Sequence, residues 1–326
     1  MTPPDALPVL PDSAAESPLS ENLAGLAGRA AAFARATTAK STRRAYDRDW
    51  RHFTAWCAVH GAVPLPASPQ VVGLYLTHCA ERLAVATLSR RLAAISTAHR
   101  LHGHRLDTRH PAIHDVLRGI RRTKGTAQRQ VTAATTPLLR AMLSTCDNSL
   151  TGTRDRALLL LGFAAALRRS EIVALESSDL ADVPEGLRLT IRRSKTDQDA
   201  AGDIIGIVRT GSVTCPVAAL RAWCDAAAIT EGRLFRKIDR HGNCGTGLTD
   251  QSVALLVKKR AALAGYNPTN YSGHSLRAGF ATSAAQNGVE ERLIARTTRH
   301  RSMTVLRGYV RDGDLFLGAA SGRVGL

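Results

Sequence analysis

The chain has 326 residues, long enough for two domains that each bury a core. Lys and Arg number 44 against 27 Asp and Glu, a formal net charge of +17, so the partner to expect is a polyanion, nucleic acid first. Residues 1–130 hold 18 Lys/Arg against 9 Asp/Glu and residues 131–326 hold 26 against 18; the excess is no basic tail, and both domains should meet phosphate. The six cysteines are scattered, with no C-x-x-C pair and no histidine pair at zinc-finger spacing, which argues against a structural zinc site and a disulfide framework and fits a reducing cytoplasm. The N-terminus lacks a basic and an apolar signal region, and no run of about 18 apolar residues occurs; neither secretion nor membrane insertion is expected.

Residues 1–37 read as a flexible lead-in, rich in Pro, Ser and Ala in their first half. From Ser41, a candidate cap, Tyr46, Trp50, Phe53 and Cys57 recur at helical spacing until Gly61. Ser68-Pro69 opens a second helix with Val72, Tyr75, Leu76 and Cys79 on its apolar face. A third runs through Leu88, Leu92 and Ile95, and a fourth through Ile113, Val116, Leu117 and Ile120. Residues 38–123 are thus expected to be a helical bundle, with Arg90, Arg91 and Arg100 on a solvated face. Arg43, Arg44, Arg90, Arg91, Arg121 and Arg122 are its candidate DNA contacts.

The polar, basic, aperiodic stretch 124–137 reads as an interdomain linker. In residues 138–326 helices dominate (153–167, 216–228), interrupted by a β-hairpin in which Leu187, Leu189 and Ile191, then Ile205 and Ile207, alternate with polar residues. The expected fold class is mainly α with a small antiparallel sheet.

The chemistry gathers in this second domain. Arg168 follows the apolar run Ala157–Leu167, and an arginine delivered by a buried helix needs an anion or carbonyls; Glu171 is its ordinary ion-pair partner. Lys195 lies at the hairpin tip, where the ordinary reading is an exposed turn lysine. His274 and Arg277, at i and i+3 on a helix opened by Gly273, are expected to point into one pocket. His300 follows Arg277 by 23 residues and Tyr309 follows His300 by nine. Ser302 can cap a helix on which Leu306 and Tyr309 share a face, the ordinary role of such a tyrosine being in a core. Together, two arginines, two histidines and a tyrosine can gather at one phosphate. Guanidinium forks stabilise the charge of a pentacoordinate phosphorus without a metal. A phenol of ordinary pKa about 10 becomes a nucleophile once a base such as His274 accepts its proton.

The segments Leu167-Arg168-x-x-Glu171, Ser194-Lys195-Thr196, Ser272-Gly-His274-Ser-Leu-Arg277, His300 and Tyr309 resemble the motif set of the tyrosine recombinases, or phage integrase family, over about residues 38–312. The resemblance extends to the helix opening Thr214-Cys-Pro-Val-Ala-Ala-Leu-Arg-Ala-Trp. It implies a helical core-binding (SAM-like) domain at 38–123 and an α/β catalytic domain at 138–326, in a Cre-like or Xer-like layout. It further implies Tyr309 as nucleophile, Arg168, Arg277 and His300 on the scissile phosphate, Lys195 as acid and His274 in proton transfer. The expected reaction is site-specific recombination of double-stranded DNA through a 3′-phosphotyrosine and a Holliday junction. Four protomers act on paired sites, accessory DNA-bending proteins are candidate partners, and no cofactor is needed. One departure stands out: Arg299 occupies the position before His300 where the family usually has glycine, a residue that permits tight backbone approach; an added phosphate contact from Arg299 is one consequence to test.

Two other functions fit parts of the sequence. Val289–Thr297 and the helix after Ser302 can be read as the helix-turn-helix of a non-catalytic regulator, and a type IB topoisomerase uses the same phosphotyrosine route. In the tail, Leu315, Phe316 and Leu317 either cap the domain's own core or, by family analogy, dock on a neighbouring protomer.

Overall fold

The computed structural model describes residues 21–125, 131–192, 202–299, 303 and 306–309. The chain divides into two compact units, residues 1–129 and 130–326. The expected flexible lead-in 1–37 needs correcting: Glu21–Ala36 is a helix, α1. Seven of its sixteen residues are alanine, the residue with the highest intrinsic helix propensity, which outweighs its two glycines. Helix α2 (Lys40–Val59) begins one residue before the expected cap: Ala39 is extended, its carbonyl accepts the Arg43 N–H at 3.0 Å, and no side chain caps it. Ser41 therefore lies inside the first turn.

Helix α3 (Pro69–Ala80) starts as expected, with the Ser68 hydroxyl accepting from the Val71 N–H at 3.3 Å and Pro69 at the first helical position. With α4 (Val85–Leu101) and α5 (Pro111–Lys124) it buries Phe53, Cys57, Val72, Tyr75, Leu76, Leu88, Ile95, Ile113 and Leu117 in one core. Helices α3 and α5 approach closely because residue 73 is glycine: a Cβ there would overlap the Ala112 carbonyl.

Arg91 is not on a solvated face. It is buried; its Nη1 donates to the Tyr75 hydroxyl at 2.8 Å and to Cys79 Sγ at 2.9 Å, and its Nε lies 3.9 Å from Asp49. Arg90 forms a two-pronged pair with the same buried Asp49, at 2.7 and 3.2 Å. The acceptors Asp49 and Tyr75 sit at helical positions that place them inside the bundle, and a buried carboxylate must recruit cations. Arg44, Arg121 and Arg122 are exposed and Arg43 is half-buried.

His99 is also inside. Its Nε2 accepts the Ala67 N–H at 2.8 Å, so Nδ1 carries the proton and donates to the Ile95 carbonyl, also 2.8 Å away. Burial, with help from His104 and His102, holds its pKa below the usual 6.5. The unfolded chain then binds a proton below about pH 6.5 that the folded chain refuses, so the His99 contribution to stability is complete above that pH and is lost as pH falls towards the folded pKa. Between pH 7.5 and 5 the melting temperature should fall, and His99→Gln should reduce that fall while lowering the melting temperature at pH 7.5. Identical pH slopes in the two proteins would remove His99 as the cause.

The second unit contains α6 (Thr136–Ser144), α7 (Leu150–Ala164), α8 (Arg169–Ala174), α9 (Pro216–Ala226), α10 (Asp250–Leu263), α11 (His274–Gln286) and α12 (Glu291–Thr298), with a three-stranded antiparallel sheet of β1 (Leu180–Val183), β2 (Gly186–Ile191) and β3 (Asp203–Val208). The β2–β3 register pairs Leu189 with Ile205 and Leu187 with Ile207, and all four side chains face the core. β1, and a second small pair of β4 (Arg236–Ile238) and β5 (Cys244–Gly247), were not expected from the sequence.

The expected linker 124–137 reaches too far. Residues 131–135 run along α11, with the Thr132 and Ala134 N–H groups donating at 2.9 Å to the Asn270 and Ser275 carbonyls, and Ala134 is fully buried. Gly279 makes room: a Cβ there would collide with the Ala134 backbone. Buried Asp155 receives four charge-assisted hydrogen bonds, at 3.1 and 2.7 Å from Arg154 and at 2.9 and 2.7 Å from Arg260. Among the described residues no helix is long and apolar enough to cross a membrane.

Candidate phosphate-binding and nucleophile site

Helix α7 ends in a turn that builds half of the site. Ala166 takes a left-handed conformation (φ 47°), and the Ala166 and Leu167 N–H groups return to the carbonyls of Phe163 and Gly162 at 2.9 and 3.0 Å. The chain reverses there, leaving the Ala166 carbonyl pointing inward and Arg168 at the cap of α8. The Arg168 N–H donates to Glu171 Oε2 at 2.8 Å while its Nη1 donates to Oε1 at 2.6 Å. The ion-pair partner expected from the sequence is thus in place. The carboxylate also answers the orphan donor at the start of α8.

Helix α11 supplies the other half. Arg277 is 1% exposed, and its Nη1 donates to the Ala166 carbonyl at 2.8 Å. Its Nη2 is buried with no hydrogen-bond partner among the described residues, a donor whose desolvation nothing described offsets. Burial first, then the like charges of Arg168 and Arg299, pushes the Arg277 guanidinium down to about 9, with Glu171 and Tyr309 acting in the opposite direction. A cation so placed binds an anion that enters its pocket more strongly than a solvated one does.

Tyr309 is half-buried on the helical turn 306–309. That turn is held by Leu306, which packs on Ala281, Ala285 and Ile294, and by the Thr282 hydroxyl donating to the Tyr309 carbonyl at 3.4 Å. The Tyr309 side borders a groove of about 490 Å³ shared with Val131, Thr132, Tyr266, Tyr271 and Thr282. Arg168 and Tyr309 both act on the charge of Arg277, the first opposing it and the second favouring it. His274 occupies the first position of α11 and is exposed while Arg277 is buried. Lys195 (on the β2–β3 connection), His300, Ser302 and the tail residues Leu315, Phe316 and Leu317 lie outside the described residues.

Arg299 is the residue whose place the sequence did not reveal. It adopts the left-handed conformation (φ 55°, ψ 45°) that its glycine counterpart would take without cost. Its side chain, 6% exposed, turns inward, and Nη2 donates to Glu171 Oε2 at 2.6 Å. The only signal available in advance was the departure itself, an arginine at a glycine position.

Arg168, Arg277 and Arg299 thus form a cluster of guanidinium groups around Glu171 and the Ala166 carbonyl, with one buried donor of Arg277 unmatched among the described residues. Residues 134–314 match the Phage integrase family. An integrase/recombinase xerD homologue of Selenomonas ruminantium is 40% identical over 88% of this chain and 86% of its own length. A tyrosine recombinase of Synechococcus elongatus is 32% identical over 82% of this chain and 84% of its own. In structure, the chain is similar to the integrase of the Tn1549 transposon in complex with transposon right-end DNA, with a TM-score of 0.60 over 89% of this chain and 95% of that one at 15% identity. The chain belongs to the phage integrase family, the tyrosine recombinases.

Proposed function

We propose that the chain is a site-specific recombinase that cleaves and rejoins double-stranded DNA, four copies exchanging strands between two sites through a Holliday junction. The oxygen of Tyr309 attacks the scissile phosphorus, a 3′-phosphotyrosyl bond forms, and the bond to the 5′ oxygen breaks. The tyrosine proton passes to a base, with His274 as the candidate, and Lys195 supplies the proton that the departing oxygen requires. Arg168, Arg277 and His300 hold the two non-bridging oxygens as charge builds on them. Because the phosphotyrosine conserves the phosphodiester energy, a 5′ hydroxyl from the second duplex completes the exchange.

The observation that carries this reading is Arg277: a nearly inaccessible guanidinium with one donor pair anchored on the Ala166 carbonyl and the other unmatched among the described residues, under the electrostatic influence of Tyr309. The relatives' recombinase names support the same reaction class. The helical unit, with Arg43, Arg44, Arg121 and Arg122 on its accessible surface, serves as the core-site DNA-binding domain; Arg91 supports it from within, and the part-exposed Arg90 holds the buried Asp49. Accessory DNA-bending proteins are candidate partners at the sites.

The experiment is denaturing capture of protein-linked DNA from expressing cells, with sequencing of what is attached. Discrete loci should be recovered, and two copies of the recovered sequence on one plasmid should recombine. Binding at such a locus with intact DNA would favour the regulator reading. Relaxed plasmid with no recombinant would favour a type IB topoisomerase.

A further inference from the structure

Arg299 stands next in sequence to His300 and has a position that no ordinary surface arginine adopts. Its backbone is left-handed, a conformation that disfavours a side chain bearing a Cβ. Every contact of its guanidinium is inward. Nη2 donates to Glu171 Oε2 at 2.6 Å, Nη1 donates to the Thr297 carbonyl at 3.0 Å and to the Ala165 carbonyl at 3.3 Å, and Nε lies 3.9 Å from the Asp203 carboxylate without a hydrogen bond among the described residues. The side chain thus ties the end of α12 to the α7–α8 turn that carries Arg168, and to the first residue of β3, on the hairpin whose connection contains Lys195. Burial lowers the Arg299 pKa, and the Glu171 carboxylate acts against that. Glu171 is itself buried and now serves two cations: Oε1 is taken by Arg168 Nη1, Oε2 by the Arg168 N–H and by Arg299.

On the recombinase reading, we propose that Arg299 is a positioning residue of the phosphate site: it shares the Glu171 carboxylate with Arg168, leaving more of the Arg168 charge for the phosphate, and it pins the turn just before His300 by side-chain contacts. With glycine at 299 the cluster would hold two guanidinium groups against the buried Glu171 carboxylate; with arginine it holds three, the third also 3.9 Å from the more exposed Asp203 carboxylate. The surplus charge strengthens anion binding in a pocket where screening by water is weak. A direct phosphate contact by Arg299, the alternative suggested by the sequence, fits poorly, because both of its terminal nitrogens are already engaged with protein oxygens.

The test uses the full chain and a duplex nicked near the cleavage position. Arg299→Gly keeps the left-handed backbone available and removes only the side chain, so it separates the two roles of the position. Adduct formation at Tyr309 should slow at least about tenfold, with DNA binding changed less than about threefold, and Arg299→Lys should recover part of the rate. In a Glu171→Gln background the same Arg299→Gly change should cost less than about threefold, because the carboxylate through which Arg299 acts is gone. Adduct formation at the wild-type rate in Arg299→Gly overturns the proposal, and so does an undiminished loss in the Glu171→Gln background. If the wild-type chain forms no adduct, the recombinase reading has failed on its own. The positioning proposal is then judged by inorganic vanadate binding, followed by thermal shift. Affinity should weaken at least about tenfold in Arg299→Gly and recover in part in Arg299→Lys, and unchanged affinity overturns it. A glycine variant that does not fold leaves Arg299→Lys and Glu171→Gln to be compared by the same vanadate titration, where wild-type affinity in both would count against the proposal.

Discussion

Tyr309→Phe should reduce covalent protein–DNA adduct to background, a loss of roughly 10⁴-fold or more, as removal of an attacking nucleophile does in other covalent enzymes. The substitution keeps the ring and the backbone contacts of the position. The ring rests at the edge of a small cluster formed by Leu306, Ala281, Ala285 and Ile294, and a phenylalanine keeps that packing. The Thr282 hydroxyl binds the main-chain carbonyl of residue 309, so that contact survives as well. DNA affinity should therefore stay within about threefold of wild type. Adduct formed at the wild-type level by Tyr309→Phe would move the nucleophile elsewhere. A loss of binding equal to the loss of adduct would assign Tyr309 to the core.

Asp155→Ala should destabilise the second unit by about 3–5 kcal/mol, the cost of stranding a buried cation. Asp155 and Arg260 are 1% and 4% exposed, and the aspartate ties α7 to α10. Arg260 also donates from Nη1 to the Thr145 carbonyl at 2.6 Å, so the loop after α6 depends on the same side chain. Against a domain stability of about 5–15 kcal/mol, such a loss is more than half of the total at the lower end. Urea denaturation followed by circular dichroism should show a lower midpoint for the second unit and little change in the first. Replacing the aspartate and its more deeply buried partner with apolar residues, Asp155→Leu with Arg260→Met, should recover part of the loss, because only Arg154, 12% exposed, is then left without its carboxylate. A double variant as unstable as Asp155→Ala would mean that packing around residue 155, not the stranded guanidinium, sets the cost.

Some of this architecture was legible because single residues carry strong local signals. Ser68-Pro69 marks a helix start by a cap and a proline that cannot donate, and the structure begins α3 there. The alternation at Leu187, Leu189, Ile205 and Ile207 marked the two hairpin strands, and the structure pairs them in the register that keeps the whole apolar set out of water. Glu171 could be paired with Arg168 because an arginine beyond a buried helix has few other anions within reach.

What escaped depends on partners distant in sequence. Arg91 looks solvated along its own helix, and only Tyr75, Cys79 and Asp49, brought in from α2 and α3, draw it inside. Asp155 has one of its two arginines 105 positions away. Residues 131–135 have no periodicity of their own; their order comes from α11, which makes room at Gly279. The three short strands β1, β4 and β5 are of three or four residues, too brief for alternation to register. In the site itself, residue types and spacing pointed to Arg168, Arg277 and Tyr309, but the burial of Arg277 and the inward turn of Arg299 follow from the left-handed residues Ala166 and Arg299, conformations that their side chains do not advertise.

The central claim is chemical, a phosphotyrosine at residue 309, and it can be read directly. Protein captured on DNA under denaturing conditions is digested with nuclease and protease, and the peptide bearing the residual nucleotide is sequenced by mass spectrometry. The account predicts a 3′-nucleotide phosphodiester on the oxygen of Tyr309 and on no other residue. Attachment at a serine or at another tyrosine, or a chain that binds its DNA and carries no nucleotide even on a nicked duplex that prevents religation, would contradict it.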